Sequence, residues 1–191
     1  MSKAVLISIR PKWCELIASG KKTIEVRKTA PKIETPFKCY IYCTNSGRPL
    51  VYGDKPCADG WTEAYTQTYG YNREEADKIW GVMNGKVIGE FVCDSIFPLS
   101  FYASDASFFD TEPPLPVPGT CLTDKEIAEY LGNGKTGYGW HISDLVIYDE
   151  LKKLSDFRLY NTSAVIEDGL PMPTHEIRRP PQSWCYVRCA P

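Results

Sequence analysis

The feature that most constrains this chain is a short segment, Gly20–Arg27 (GKKTIEVR), in which a glycine is followed by alternating polar and apolar residues. Glycine in the left-handed conformation commonly ends a helix, and such alternation is typical of a strand with one buried face. We therefore expect a helix that ends at Gly20 and a strand that buries Ile24 and Val26. The residues expected on the open face of this strand are Thr23, Glu25 and Arg27.

Charged residues of both signs are concentrated in this segment. Glu25 and Arg27 would lie on one face of the strand, close enough for the carboxylate to hold the guanidinium in one orientation. Lys22 lies where the chain leaves the helix. The pattern therefore predicts a preorganised polar site on a rigid strand.

The rest of the chain is predicted to alternate strands and helices. Pro11 suits the first position of a helix, and Thr123 with Glu126 has capping-box spacing. Strands are predicted over 4–9, 22–27, 37–43, 86–94, 140–148 and 183–188, and helices over 11–20, 72–83 and 123–132. Residues 45–84 indicate an insertion. The order predicts a single domain over 1–191 with a mixed α+β fold around a small, strongly bent sheet or barrel, flanked by helices.

The composition indicates a protein of the cytoplasm with a substantial core. Of 191 residues, 43% are hydrophobic and 13% are aromatic, which is enough for such a core. No stretch is long and apolar enough to span a membrane, and the apolar run at 5–9 is too short for a signal peptide. We therefore expect a cytoplasmic protein without membrane association, in which the 8 cysteines stay reduced.

The charge is distributed unevenly along the chain. Nine basic and three acidic residues lie within residues 1–40, a net charge of +6, whereas the whole chain carries −2 and the remainder therefore −8. A basic region on an otherwise acidic protein attracts an anion locally and repels a polyanion elsewhere. This asymmetry argues against non-specific coating of nucleic acid and favours a small anionic ligand, such as one or two nucleotides.

Three patterns that would indicate other chemistry lack the required context. Gly132–Thr136 (GNGKT) resembles the end of a phosphate-binding loop, but it follows a helix and opens a strand, the reverse of the required order. A nucleophilic cysteine–histidine pair, Cys14 or Cys185 with His141, has no supporting flanking pattern. The cysteine pairs lack the spacing typical of zinc ligands and the histidines are isolated, so neither a metal nor a cofactor is expected. The cysteine pairs are Cys39 with Cys43 and Cys185 with Cys189, and the two histidines are His141 and His175.

Several aromatic residues lie next to glycine or proline near the ends of predicted elements. A planar base that stacks on such a ring gains about 1–3 kcal/mol, although core packing is the common role of a single aromatic residue. The run Tyr138–Trp140 is the strongest candidate, because its flanking glycines would allow a ligand to approach closely. The other aromatic candidates are Trp13 and Trp184.

The motif and its flanks resemble the ASCH domain (activating signal cointegrator homology), a family of PUA-like folds. The family signature is Gly-x-Lys-x-x-Glu-x-Arg, and it is matched by Gly20, Lys22, Glu25 and Arg27. Residues 86–91 resemble the middle strand of the family, 137–148 with 154–157 its later part, and 180–184 its ending. The resemblance covers most of the chain except 45–84.

This resemblance implies a β-barrel with helices at its rim and a cleft lined by the signature residues. It further implies binding of RNA or a modified nucleotide, since related PUA-like domains bind RNA or recognise modified bases. Some small proteins of the family are similar to enzymes, among them a reported ribonuclease and an amidohydrolase that removes acetyl from acetylated cytidine. In that amidohydrolase a lysine and a threonine lie at the positions matching Lys22 and Glu25 here, so the lysine is kept and the threonine nucleophile is not.

Three functions are therefore expected as alternatives. The first is a nucleic-acid-binding module that holds single-stranded RNA or a modified nucleotide in the cleft. The second is an amidohydrolase on an acetylated or otherwise modified nucleoside, with Lys22 as the base and Glu25 as a proton shuttle. The third is a protein-interaction module that binds a partner through the insertion at 45–84. The residues expected to bind the ligand are Lys22, Glu25, Arg27, Tyr138 and Trp140.

Overall fold

The structure is a computed structural model that describes residues 3–45, 50, 83–100, 117–160 and 176–189. The predicted insertion at 45–84 and its helix lie almost entirely outside the described residues. The described elements are β1 (Lys3–Ile9), α1 (Pro11–Ala18), β2 (Ile24–Arg27), β3 (Phe37–Cys43), β4 (Val87–Cys93), β5 (Ile96–Ser100), α2 (Asp124–Leu131), β6 (Thr136–His141), β7 (Ser143–Lys152), a 3₁₀ helix (Leu154–Asp156) and β8 (Trp184–Arg188).

The chain divides into two compact units. The first unit comprises Met1–Glu15, Lys38–Glu90 and Val146–Pro191, and the second comprises Leu16–Phe37 and Phe91–Leu145. All residues of the signature motif and the Tyr138–Trp140 run belong to the second unit. The geometry of the predicted site is therefore contained within one unit.

The first unit is built on a five-stranded sheet with the order β7-β4-β3-β1-β8. β1 lies inside this sheet, parallel to β3 and antiparallel to β8. Strands covered on both faces are typically continuous apolar runs, and Ala4, Val5, Leu6 and Ile7 of β1 are all fully buried. The core on one face also contains Tyr40, whose ring meets that of Phe157 edge to face at a centroid distance of 4.8 Å.

The second unit is built on a three-stranded antiparallel sheet with the order β2-β6-β5. One face of this sheet packs against α2, where Val26 meets Ile127 and Leu131. Because side chains alternate along a strand, Glu25 and Arg27, which flank Val26, lie on the opposite face. The core contact with α2 therefore sets which face of β2 carries the charged residues.

Both predicted helix boundaries follow from the local sequence. Pro11 is the first residue of α1, and Gly20 ends the segment in the left-handed conformation with φ 72°. At the start of α2, the Glu126 carboxylate accepts from the Thr123 backbone N–H at 2.8 Å, and the Thr123 hydroxyl accepts from the Glu126 N–H at 3.2 Å. These bonds form the predicted capping box, and Gly132 ends the helix with φ 100°.

The structure differs from the predicted elements in two places. The strand predicted over 140–148 is two strands, β6 and β7, which belong to different sheets and are separated at Ile142. β5 was not predicted, because its short sequence contains Pro98, which cannot donate a hydrogen bond and is typical of an edge strand. The described residues form two sheets and no closed barrel is found among them, so the barrel remains an expectation.

Two findings bear on the predictions from composition. Neither α1 nor α2, the α-helices in the described ranges, has the length and apolar content to cross a membrane. The seven cysteines in these ranges are all free thiols. Four of them are buried, as expected for a cysteine that packs as a small apolar residue.

Candidate functional site

Four of the five residues predicted to bind a ligand share one face of the second unit's sheet. In the antiparallel pairing of β2 with β6, Glu25 lies opposite Trp140 and Arg27 lies opposite Tyr138. Residues directly opposite in such a pair project to the same side of the sheet. We call this set of residues, together with Lys22, the motif face.

On this face, Glu25 is held between two cations. Its Oε1 lies 3.0 Å from an Nη of Arg27, and its Oε2 lies 3.4 Å from the Nζ of Lys22. The predicted pairing of Glu25 with Arg27 is therefore confirmed in geometry. Engaging both carboxylate oxygens fixes the plane of the carboxyl group and limits the rotamers open to all three side chains.

Lys22 is held in place by the backbone as well as by the carboxylate. Its Nζ donates to the carbonyl oxygen of Ile24 at 2.8 Å and to that of Thr120 at 2.6 Å. An ammonium has three N–H donors, and these contacts together with Glu25 account for three directions. Lys22 thus ties β2 to a segment far along the chain and orients Glu25.

Burial disfavours the charged form of Lys22. Only 2% of this residue is exposed, and the loss of hydration lowers the pKa of its ammonium, while the nearby Glu25 carboxylate partly opposes this effect. The two carbonyl acceptors need only the two N–H groups that a neutral amine still has. A neutral amine would keep both carbonyl bonds, whereas the ammonium has a third N–H for the Glu25 carboxylate.

The prediction that Glu25 and Arg27 occupy an open face was wrong about their exposure. Each side chain is only 8% exposed. The alternation of polar and apolar residues correctly predicted which side chains of β2 share a face, but it does not determine whether that face is covered. Charged residues are buried almost only when they are paired, and these two residues meet that condition.

Trp140 is part of the core and does not form an accessible stacking platform. It has no exposed surface, and its ring meets that of Phe37 edge to face at 6.1 Å between centroids. The prediction that Trp140 stacks a ligand base is therefore wrong for this structure, since a base needs an uncovered ring face. Tyr138 is half-buried, and it is the aromatic residue of the motif face that retains exposed surface.

The glycines beside Tyr138 serve packing on the other side of the sheet, and not the approach of a ligand. A Cβ on Gly137 would lie 2.3 Å from a methyl group of Leu131, and one on Gly139 would lie 2.7 Å from the ring of Phe97. Both contacts lie on the face of the sheet that packs against α2 and carries Phe97 of β5. The interpretation of these glycines as an opening for a ligand was wrong.

Thr120 is a residue of the site that the sequence did not reveal. It is fully buried, its carbonyl accepts from Lys22, and its hydroxyl donates to the carbonyl of Val117 at 2.8 Å. The same hydroxyl oxygen accepts from the N–H of Leu122 at 3.1 Å. These local bonds fix the turn that presents the carbonyl to Lys22, and no sequence pattern links residues so far apart.

The surroundings of His141 and Cys185 do not favour a nucleophilic cysteine–histidine pair. His141 Nδ1 lies 2.7 Å from a carboxylate oxygen of Asp94, and this hydrogen bond lowers the pKa of Asp94. His141 is thus a partly exposed imidazole with a carboxylate partner. Burial raises the pKa of the Cys185 thiol to about 11, which opposes a nucleophilic thiolate at neutral pH. Among the described residues, no group of three or more metal-ligating side chains is found.

Comparison with known proteins finds a family model and solved structures to which this chain is similar. The family model described as "ASCH domain" matches residues 7–83. A crystal structure of ASCH from Zymomonas mobilis is 16% identical, with a TM-score of 0.50, and the match covers 97% of this chain and 87% of that one. A variant of that protein with a serine replaced by alanine gives 15% identity, a TM-score of 0.51, and coverage of 97% and 88%. At such identities the likeness shows a shared fold alone. No curated protein matches the chain.

Proposed function

We propose that this chain, of which residues 7–83 match the ASCH domain model, belongs to that family and binds a nucleotide on the motif face, either within single-stranded RNA or as a modified nucleotide, in the cytoplasm. The same resemblance underlies the expected PUA-like barrel, in which this face would line a cleft. The proposal assigns separate roles to the residues of the face.

The observation that carries the proposal is the clamped carboxylate of Glu25. With its two oxygens set 3.4 Å from Lys22 and 3.0 Å from Arg27, this carboxylate is preorganised, and preorganisation lowers the cost of binding. A fixed carboxylate can accept a hydrogen bond from an exocyclic amine of a base. Ligand pockets carry a small number of precisely placed polar groups, and Glu25 and Arg27, each 8% exposed, form such a pair.

Arg27 and Tyr138 are assigned to direct ligand contact alongside Glu25. A guanidinium presents several donors in one plane and suits a phosphate or a base edge. Tyr138 lies directly opposite Arg27 and is half-buried, so its ring can stack on a base next to the arginine. Lys22, whose N–H groups are directed at protein oxygens, is assigned as a positioning residue for Glu25.

Single nucleotides test the proposal directly. We would titrate the four ribonucleoside monophosphates into the full chain and measure binding by calorimetry. Arg27→Gln should weaken binding about tenfold or more, because a hydrogen bond to a charged group contributes about 1.5–3 kcal/mol. Lys28→Gln is the matched control, since Lys28 is the next residue and is exposed. Absence of binding by the parent, or equal affinities of the two variants, would contradict the proposal.

An amidohydrolase is a second candidate, which the lowered pKa of Lys22 favours. A neutral amine can take a proton from a water that attacks the acetyl carbonyl, and Glu25 at 3.4 Å can pass that proton to the amine of cytidine as the C–N bond breaks and acetate forms. The test is incubation with acetylated cytidine from neutral to alkaline pH, with release of cytidine followed by chromatography. Glu25→Gln should abolish turnover, and no product above the buffer control at any pH would exclude this activity on that substrate. The protein-interaction alternative concerns 45–84, almost all of which lies outside the described residues.

A further inference from the structure

A cavity of about 390 Å³ lies in the first unit, and the proposed function does not use it. It lies beside β8, which contributes Cys185 to its wall. We call it the arginine cavity. Its lining residues are Leu159, Glu176, Ile177, Arg178, Arg179, Pro181 and Cys185.

Contacts with the five-stranded sheet hold the walls of the arginine cavity in place. Leu159 pairs with Val187 of β8 in an antiparallel bridge. The hydroxyl of Ser8, which belongs to β1, donates to the carbonyl of Pro181 at 2.7 Å. Because these contacts fix the walls before a ligand arrives, less conformational freedom is lost on binding.

Part of the cavity wall is apolar. Ile177 is 5% exposed and belongs to the core cluster against which Cys185 packs. The raised pKa of the Cys185 thiol keeps this group neutral at neutral pH, and a neutral thiol packs as a small apolar group. Leu159, which is 38% exposed, adds an apolar side chain that water reaches. Cavities of about 300–1,000 Å³ with mostly apolar walls hold small molecules, so these residues suit the apolar body of such a ligand.

The charged residues of the cavity leave two cations without a partner. An Oε of Glu176 lies 3.4 Å from an Nη of Arg158, so this carboxylate is already paired. Arg178 and Arg179 are exposed, and in the described ranges neither has a hydrogen-bond or ion-pair partner. These three arginines and one glutamate carry a net charge of +2. The cavity therefore attracts an anion and repels a cation.

We propose that the arginine cavity binds a small organic anion with an apolar body, of the type of a medium-chain carboxylate. The apolar body leaves water by contact with Leu159, Ile177 and Cys185, which is favourable in proportion to the area covered. The anionic head group meets Arg178 and Arg179, and a guanidinium can hold a carboxylate with two parallel hydrogen bonds. Exposed arginines are common on protein surfaces. What points to a ligand is that two of them without partners line a cavity with apolar walls.

This inference does not rest on the proposed function. The arginine cavity belongs to the first unit, whereas the motif face belongs to the second. The ligand proposed for the cavity has neither a base nor a ribose. Arg27→Gln should therefore leave binding of this ligand unchanged, and Arg178→Gln should leave nucleotide binding unchanged, so failure of one proposal is distinguishable from failure of the other.

The test titrates octanoate into the full chain and measures binding by calorimetry. Affinity should rise about fourfold for each methylene from hexanoate to octanoate, because each buried CH₂ adds to the transfer free energy. Octanol, which has the same chain and no charge, should bind about tenfold more weakly or worse, since it lacks the charged hydrogen bonds. Octylammonium should not bind, because its head group is repelled by the arginines.

Variants locate the two parts of the cavity. Arg178→Gln and Arg179→Gln should each weaken octanoate binding about tenfold, whereas Arg10→Gln, which changes an exposed arginine of the same unit, should bind as the parent does. Leu159→Ala should weaken octanoate binding severalfold through the lost apolar contact. Its matched control is Val146→Ala, since Val146 is a 50% exposed apolar residue of the same unit that lies outside the cavity.

Several outcomes would overturn the proposal. One is a parent protein that does not bind octanoate, and another is equal affinity of Arg178→Gln, Arg179→Gln and Arg10→Gln. Octanol that binds as tightly as octanoate would show that the arginines do not recognise the ligand. Acetate or inorganic phosphate that binds as tightly as octanoate, or equal affinity of Leu159→Ala and Val146→Ala, would show that the apolar wall does not contribute.

Discussion

Replacing Lys22 by methionine tests whether this residue acts as a structural tie within the motif face. Methionine keeps a long unbranched side chain but removes every donor. The carbonyls of Ile24 and Thr120, which accept at 2.8 and 2.6 Å, would then lose their partner. Glu25 would keep Arg27 at 3.0 Å, so the variant does not leave an isolated buried carboxylate.

The magnitude follows from these two carbonyls. A buried polar group left without its partner costs about 1–3 kcal/mol, which gives about 2–6 kcal/mol for two. Part of this loss is offset, because the parent bears the cost of burying an ammonium, the same effect that lowers the pKa of Lys22. We therefore expect Lys22→Met to reduce the free energy of unfolding by about 2–4 kcal/mol.

The assay is urea unfolding followed by circular dichroism, with Lys21→Met as the control. Lys21 is adjacent in the chain and exposed, so its substitution should change the free energy of unfolding by less than about 0.5 kcal/mol. A pH series adds a signed test. Because the folded-state pKa of Lys22 is lowered, the unfolded chain binds more protons between that value and 10.5. The parent should therefore gain stability relative to Lys22→Met as pH rises toward 10.5.

Two results would refute this reasoning. The first is a loss in Lys22→Met no larger than in Lys21→Met, which would mean that the carbonyl bonds contribute nothing. The second is a stability difference that shrinks as pH rises, because that trend requires a raised pKa for Lys22.

Three further substitutions test packing, charge and capping by the same unfolding assay. Gly137→Ala should destabilise the protein by about 1–3 kcal/mol or more, because its Cβ would lie 2.3 Å from Leu131; an unchanged midpoint would contradict that packing. Tyr148→Phe removes a 2.6 Å hydrogen bond to Glu90 and should cost about 1–3 kcal/mol at neutral pH. Burial opposes ionisation of Glu90, but bonds from a lysine and Tyr148 lower its pKa, so this cost should shrink as pH falls through that lowered value; a constant cost would refute it. Thr123→Ala should cost about 0.5–2 kcal/mol through the lost capping box, whereas no change would show that the cap is dispensable.

Local patterns in the sequence were sufficient to predict the skeleton of the motif face. Alternation in β2 placed Glu25 and Arg27 on one side, and the glycine and capping signals located both helices. These features depend on residues within a few positions of one another. Periodicity and capping report such neighbours directly.

Burial of the site could not be predicted, because it depends on residues distant in the chain. The partner that fixes Lys22 is the carbonyl of Thr120, 98 residues away. The covering of Trp140 likewise requires Phe37, which nothing in the Tyr138–Trp140 run indicates. Glycines next to an aromatic residue have the same appearance whether a ligand or a leucine occupies the space. The steric contact of Gly137 with Leu131 decides between these interpretations, and it exists only in three dimensions.

The position of β1 inside the five-stranded sheet has a consequence for how the first unit folds. Its register with β8 joins Lys3 to Arg188, so this pairing closes a loop of nearly the whole chain. Pairings of such long range are slow to form. Until β8 arrives, the apolar residues of β1 are flanked by an open strand edge, which is a template for association with other chains. The pairing of β8 with β1 should therefore be the slow step of refolding. The yield of refolded protein should fall as the protein concentration rises.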